Sequence, residues 1–422
     1  MLRFIATCTL IAAAALAAPA DTYRACRVGN RLMVHDPRVE LGIGMHDMSA
    51  QQIGLVRDLG IRLVRHTMYW YQIETGTQAG AYDEAALGRW DELVDRCDRE
   101  GIILEVVVHG NAPGCGFANR VESYERFARF MGDMASRFAS VRYWELFNEM
   151  DVAFTDLFGA QDAVPMVQRG RMYAEMLKLA YPAIKAANPR AFVLTGGMTD
   201  TGDFPRGIYE GGGREYFDIM NIHTYGVPVV WAFVDRGMQV RQTMARNGDG
   251  PKPLWNTEFG IDAGNLVGAW GYPHDGGEED GPRLDELMLQ QWEACLDAAE
   301  KYELYQKILP YQLHAGNERD DNGDLAATLR LPVGHTVDDY GFGILRRDGN
   351  TPRPVYTWLK QRDFNRPILQ RPQLTADVEF WDPEGLTPVG YEPNRWRPHY
   401  VNLPGVVVDS AYPTTFELTA RE

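Results

Sequence analysis

Two glutamates, Glu149 and Glu258, each close a run of apolar residues, Tyr143-Trp-Glu-Leu-Phe-Asn-Glu149 and Pro253-Leu-Trp-Asn-Thr-Glu258. A carboxylate at the end of a buried strand needs polar neighbours to offset its lost hydration. Two carboxyls facing one cavity are what glycoside hydrolysis uses: one protonates the leaving oxygen, and the other attacks the anomeric carbon or activates water. Further reactive types stand at the ends of similar runs. They are His46, Arg65 and His66, His109, Asn148 beside Glu149, His223 and Tyr225, and Gln312 and His314. Core packing alone does not favour so many histidines at strand ends.

Such a set needs a scaffold that gathers strand ends. Between residues 40 and 361 short β-rich runs alternate with helical patterns. The runs read as strands over 40–46, 61–70, 102–109, 141–149, 191–195, 217–225, 253–259 and 307–314. The stretch 102–109 is apolar up to His109 except for Glu105, as a strand buried on both faces should be. Helices are expected up to Leu59 and over 84–100, 121–138, 167–187, 231–246, 285–303 and 351–361, with Gly101 and Asn188-Pro189 as stop signals. Eight β-α units of this length predict an α/β protein of the (β/α)₈ (TIM) barrel type, in which reactive groups collect at the C-terminal ends of the strands. A doubly wound sheet fits less well, because Gly42-Ile-Gly44 lacks the third glycine of a phosphate-binding turn.

The chain has 422 residues, 45% hydrophobic and 24% charged, which is globular usage. Its formal net charge of −16 repels phosphate backbones and anionic lipid, so neither nucleic acid nor a membrane surface is expected as a partner. Residues 1–20 read as a signal peptide: Arg3, then an apolar run, then Ala18-Pro19-Ala20 before a cleavage ahead of Asp21. A secreted or periplasmic location follows. No later apolar stretch reaches the ~20 residues of a membrane span. The catalytic barrel is then assigned to 21–361, and the Pro-rich residues 362–422 to a C-terminal extension packed on it. Cys26, Cys97, Cys115 and Cys295 are too few for a disulfide scaffold, and Cys97 and Cys115 fall at opposite barrel ends, so no bridge between them is expected.

With these elements in place, Tyr143–Glu149, His223-Thr-Tyr225 and Leu254-Trp-Asn-Thr-Glu258 resemble the strand 4, 6 and 7 signatures of clan A glycoside hydrolases, which are retaining (β/α)₈ enzymes. Tyr69-Trp-Tyr-Gln-Ile-Glu74 and Tyr340-Gly-Phe-Gly-Ile-Leu-Arg346 are similar to the family 39 and family 5 pattern. The chain departs from it in having Phe147-Asn-Glu-Met150 where Trp-Asn-Glu-Pro is usual, and in lacking a Trp in strand 8. The resemblance implies that Glu149 is the acid/base and Glu258 the nucleophile of β-glycan hydrolysis. It implies that Asn148 holds the sugar 2-hydroxyl, that Tyr225 bonds to the nucleophile, that Arg65 lies under the carboxylates, and that His109 and His223 line the glycone site. Arg65 would lower the pKa of a nearby carboxylate, and an apolar wall such as Phe147 would raise that of the acid.

The remaining candidates have bland readings beside the chemical ones. Trp70, Tyr71, Trp231, Trp270 and Tyr272 follow strand ends and either stack on an oligo- or polysaccharide or simply pack. Glu105 and Glu145 precede the strand ends and read as structural charges inside the barrel. Asp320-Asp-Asn-Gly-Asp324 has its Gly misplaced for a calcium loop and reads as a solvated loop. His274–Asp280 reads as an acidic flap. No cofactor is expected. Two rival functions stand against a glycosidase. One is a metal-dependent barrel hydrolase, for which the usual His-x-His on strand 1 is missing; the other is a sugar-binding barrel without catalysis.

Overall fold

The computed structural model describes 40–361 apart from 153–155, 160–162, 226–228, 251, 261–279, 303, 315–341 and 347–348, together with an N-terminal hairpin. The expected signal peptide, the 362–422 extension, Trp270, Tyr272, the acidic flap and the Asp320–Asp324 loop lie outside the described residues. The hairpin, Arg24–Val28 paired antiparallel with Arg31–His35, was not anticipated.

Eight parallel strands form the barrel: β1 (Glu40–Gly44), β2 (Leu63–Tyr69), β3 (Ile103–His109), β4 (Tyr143–Leu146), β5 (Phe192–Thr195), β6 (Met220–Thr224), β7 (Leu254–Phe259) and β8 (Lys307–Pro310). They run β5-β4-β3-β2-β1-β8-β7-β6, and bridges Leu194↔Ile219 and Met198↔Ile222 join the two ends of the sheet. Around them lie α1 (Ala50–Asp58), α2 (Glu84–Glu100), α3 (Arg120–Arg137), α4 (Met166–Ala187), α5 (Asp203–Glu210), α6 (Val229–Arg246), α7 (Asp280–Tyr302) and α8 (Pro354–Lys360). This is the expected (β/α)₈ barrel.

Local chemistry accounts for the boundaries. The Asp83 carboxylate accepts from the N–H groups of Ala85 and Ala86 and starts α2. Gly101 ends it at φ 68°, where a Cβ would be strained. Helix α5 escaped the sequence reading because Pro205 and the flanking Gly202 and Gly211-Gly212-Gly213 mask an eight-residue period. Strands β4 and β8 are shorter than expected. β8 stops at Pro310, which has no N–H to extend the ladder, and β4 stops at Leu146 because the chain beyond it leaves the β region.

Side chains inside the barrel form two layers of different character. Leu63, Leu194, Ile219, Trp255 and Leu309 make an apolar plug at the strands' N-terminal ends. Two residues further along β2, β4, β6 and β7, on the same face, stand Arg65, Glu145, Asn221 and Thr257. The larger apolar core fills the space between strands and helices, with Trp70, Trp144, Phe127, Phe130 and Tyr173 among its fully buried side chains. The floor of the site is therefore polar, and it rests on an apolar plug.

Candidate active site

The polar layer converges on Arg65, which is 6% exposed and bonded on three sides. Its Nε and Nη2 donate to the two oxygens of Glu145 at 2.6 and 3.0 Å, Nη2 also to Asn148 Oδ1 at 2.8 Å, and Nη1 to Glu258 Oε1 at 2.5 Å. Burial alone would lower the guanidinium pKa, but Glu145 and Glu258 more than reverse this and hold it well above its ordinary value. The cation is permanent.

Glu258 at the end of β7 also accepts from the Tyr225 hydroxyl, at 2.8 Å on Oε2. Burial favours its neutral form, yet the charges of His223 and Arg65 and the Tyr225 and Arg65 hydrogen bonds outweigh burial, so its carboxyl is held below the usual range. These partners favour its anionic form.

Glu149 lies three residues past the end of β4, and the backbone there is unusual. Phe147 and Glu149 take φ of 68° and 45°, left-handed values that non-glycine residues adopt only where surroundings force them. The Phe147 N–H donates to Val108 O at 2.9 Å and that of Glu149 to Gly197 O at 3.0 Å. Behind them, Arg169 of α4 donates to Met150 O at 2.7 Å and to Val152 O at 3.1 Å. The Asp151 carboxylate takes the Thr199 N–H at 2.7 Å, the Thr199 hydroxyl at 2.8 Å and the Asp200 N–H. These bonds fix the turn that aims the Glu149 side chain inward.

Between the two carboxylates lies His223. Its Nδ1 is 2.7 Å from Glu149 Oε1 and 3.6 Å from Glu258 Oε2, and its Nε2 is 3.2 Å from Thr257 Oγ1. Burial disfavours the imidazolium, but Glu258 and Glu149 overcome this and raise the His223 pKa. Gly197 makes room for the ring, since a Cβ there would fall 1.8 Å from Nε2. Among the described residues, only one oxygen each of Glu149 and Glu258 with a His223 nitrogen forms a cluster tight enough for a metal, all within 4.8 Å. Arg65 already supplies a positive charge to Glu258, and both His223 nitrogens have hydrogen-bond partners.

The structure thus brings together Arg65, Asn148, Glu149, His223, Tyr225 and Glu258. His109 stands at the rim, its Nδ1 3.4 Å from the Asn148 N–H, and burial followed by the charge of Arg65 lowers its pKa to about 4. Three expectations need correction. His223 has no exposed surface, so it lies beneath the carboxylates and does not line the sugar site. Trp70 is fully buried against Phe127 and Phe130, its Nε1 donating to Glu74 at 2.6 Å, so it is a packing residue and no sugar platform. Phe147, expected as the wall of the acid, places its ring in the core with Phe127 and Phe158. Trp231 is half-buried at the start of α6. Sequence reasoning missed Asp151 and Arg169. The one available signal was an Asp and an Arg on elements that pattern as buried.

Comparison with known proteins agrees with this geometry. The Cellulase family (glycosyl hydrolase family 5) matches residues 37–301. No curated protein matches the chain. Among solved structures, the fold is similar to a family 39 glycoside hydrolase from the gut symbiont Bacteroides cellulosilyticus WH2, with TM-score 0.52 and 18% identity over 78% of this chain and 66% of that one. It is also similar to an exo-β-1,4-mannosidase from Opitutaceae bacterium strain TAV5, with TM-score 0.54 and 14% identity over 82% and 61%. A monomeric β-xylosidase from Caulobacter crescentus CB15 gives TM-score 0.51 and 17% identity over 76% and 67%. The chain therefore spans about two thirds or less of the length of the first two, and at these identities the likeness is one of fold. A barrel carrying two glutamates at the C-terminal ends of β4 and β7, matched by that family over more than half its length, belongs to glycosyl hydrolase family 5.

Proposed function

We propose that this chain is a retaining glycoside hydrolase of β-linked glycans, with Glu149 as acid/base and Glu258 as nucleophile. The observation that carries the reading is the spacing of the two carboxylates around His223, with oxygens within 4.8 Å. Retaining enzymes hold their carboxyls about 5–5.5 Å apart, whereas inverting ones need about 6.5–9.5 Å to admit a water. The asymmetry of partners supports the division of roles. Glu258 faces Arg65 and Tyr225 and stays ionised, while Glu149 is bonded through Oε1 to His223, leaving Oε2 for a proton.

In the first step Glu149 gives its proton to the glycosidic oxygen as Glu258 attacks the anomeric carbon, breaking the bond to the leaving group and forming a glycosyl ester. In the second, Glu149 takes a proton from water, whose oxygen displaces Glu258 and restores the starting anomer. Asn148, oriented by Arg65, would hold the 2-hydroxyl, His109 stands at the rim, and Trp231 and Trp270 are candidate stacking residues.

The net charge of −16 favours neutral sugars, and the neighbours named for mannosidase and xylosidase activity are in keeping with that. Export by the residue 1–20 segment would deliver the enzyme to extracellular or periplasmic glycan, and a mature N-terminus at Asp21 would support it. Among the described residues no helix is long and apolar enough to cross a membrane. The test of function is a panel of β-linked oligosaccharides with product sizing and NMR of the first-formed product. A β-anomer is expected; a first-formed α-anomer, or no cleavage across the panel, would contradict the reading.

A further inference from the structure

Beneath the described site lies a carboxyl that the reaction does not use. Glu105 of β3 is in register with Arg65 on one side and with Tyr143 on the other, and it has no exposed surface. No N–H or hydroxyl donates to either of its oxygens. Tyr143 and Glu145 lie two residues apart on one face of β4, so Glu145 is the next carboxyl along the barrel wall from Glu105, and its charge bears on Glu105. Two such carboxyls can bond only by sharing a proton, because two anions present only lone pairs.

Which of them holds it follows from their other partners. Glu145 accepts three N–H bonds, from Arg65 Nε at 2.6 Å, Arg65 Nη2 at 3.0 Å and the Gly197 amide at 2.8 Å. These three N–H groups face Glu145 lone pairs and make it an acceptor. Glu105 has none, and a donorless buried anion is costly.

We infer that Glu105 is a positioning residue, a neutral carboxylic acid that donates its proton to Glu145 and so leaves more of the Arg65 charge to Glu258. The groups facing it are Arg65 from β2, Glu145 and Tyr143 from β4 and, through Arg65, Glu258 from β7. An ionised Glu105 would place three carboxylates on one guanidinium. Burial first, and then the Glu145 charge, raise its pKa well above the ordinary range, in keeping with the geometry. With its proton in place, Glu145 spends part of its charge on the Glu105 hydroxyl and pulls less on Arg65. This inference rests on Glu258 as nucleophile for its consequence, but its core, the proton on Glu105, can be read without turnover.

The experiment has two arms on the full-length chain. Difference infrared spectroscopy of wild type against Glu105→Gln at neutral pH should show the carbonyl stretch of a protonated carboxylic acid, shifting in D2O and absent from the variant. In kinetics on an aryl β-glycoside, Glu105→Leu removes the donor, and the acidic limb of kcat/KM should move up by about half a pH unit or more. Glu105→Gln restores a donor of the same shape and should keep that limb where the wild type has it. If Glu105→Leu does not fold, the infrared band and the Gln profile decide. The inference is overturned if no protonated band appears, or if Glu105→Gln moves the acidic limb downward, as loss of a negative charge beside Arg65 would. A chain that shows the band yet cleaves no glycoside refutes the proposed function and leaves the Glu105 proton standing.

Discussion

Replacing Tyr225 by Phe removes a single oxygen, the one that donates to Glu258 Oε2 at 2.8 Å, and leaves a ring of the same shape against Phe342. A hydrogen bond to an ionised group is worth about 1.5–3 kcal/mol. At 1.36 kcal/mol per pKa unit, its loss raises the Glu258 pKa by about 1–2 units, with Arg65 still holding the other oxygen. The sign is fixed by the direction of the native shift. Glu258 is held below its ordinary value, so removing a donor moves it back up. Acid inactivation in the free enzyme follows protonation of this carboxylate, and the acidic limb of kcat/KM should therefore shift upward by about that amount. The assay is initial rates on an aryl β-glycoside across the acidic range, wild type and Tyr225→Phe side by side. The loss should be larger at pH values below the optimum than at it. An acidic limb that stays put, with a uniform drop at every pH, would refute the claim that Tyr225 acts through the ionisation of Glu258.

Three other outcomes follow from the same geometry. Glu149→Ala should still form the intermediate from aryl glycosides with acidic phenols but not from alkyl linkages, stall at its hydrolysis, lose the basic limb, and be rescued by azide as a β-glycosyl azide; equal loss on both substrate types without azide rescue would unseat Glu149. His66 and His109 are driven by burial to pKa values of about 4, so the unfolded chain binds more protons below about 6.5 and stability should fall by up to about 1.4 kcal/mol per pH unit per group as pH drops towards 4. His223 has the opposite sign, its contribution being complete below about 6.5 and lost as pH rises through its raised folded value. Urea midpoints across pH 4–9 for wild type and His223→Gln check both. Trp70→Ala should cost about 3–5 kcal/mol of stability and leave KM unchanged, which the same melts and kinetics would show.

The barrel was legible because its signals are local and repeated. Strand 3 is apolar up to His109 save for Glu105, α2 carries its own cap and stop at Asp83 and Gly101, and the β-α unit recurs eight times. The carboxylate pair was legible for a related reason, as a polar residue closing an apolar run must face something. What stayed hidden depends on packing depth. Trp70 and Tyr71 are neighbours in sequence, yet one is buried in the core and the other 45% exposed, because both lie in a one-turn helix (Trp70–Ile73) that follows β2 and turns them to different sides. His223 ends a strand as expected, but whether it faces sugar or underlies the carboxylates is set by Gly197, just past the end of the neighbouring β5, which admits the ring. The left-handed turn at Phe147 and Glu149 is held by Arg169 and Asp151 through backbone atoms, and no side-chain spacing encodes that.

The division of labour between the two glutamates is tested most directly by trapping. An activated 2-deoxy-2-fluoro-β-glycoside slows both chemical steps, while its good leaving group lets the first proceed, so a glycosyl ester accumulates. Intact mass followed by peptide mapping should show one sugar per chain, attached to Glu258 in the peptide that spans β7, and none when Glu258 is replaced by Ala. A sugar found on Glu149, or a chain that turns over the parent β-glycoside yet never carries a label while releasing the α-anomer, would contradict the account.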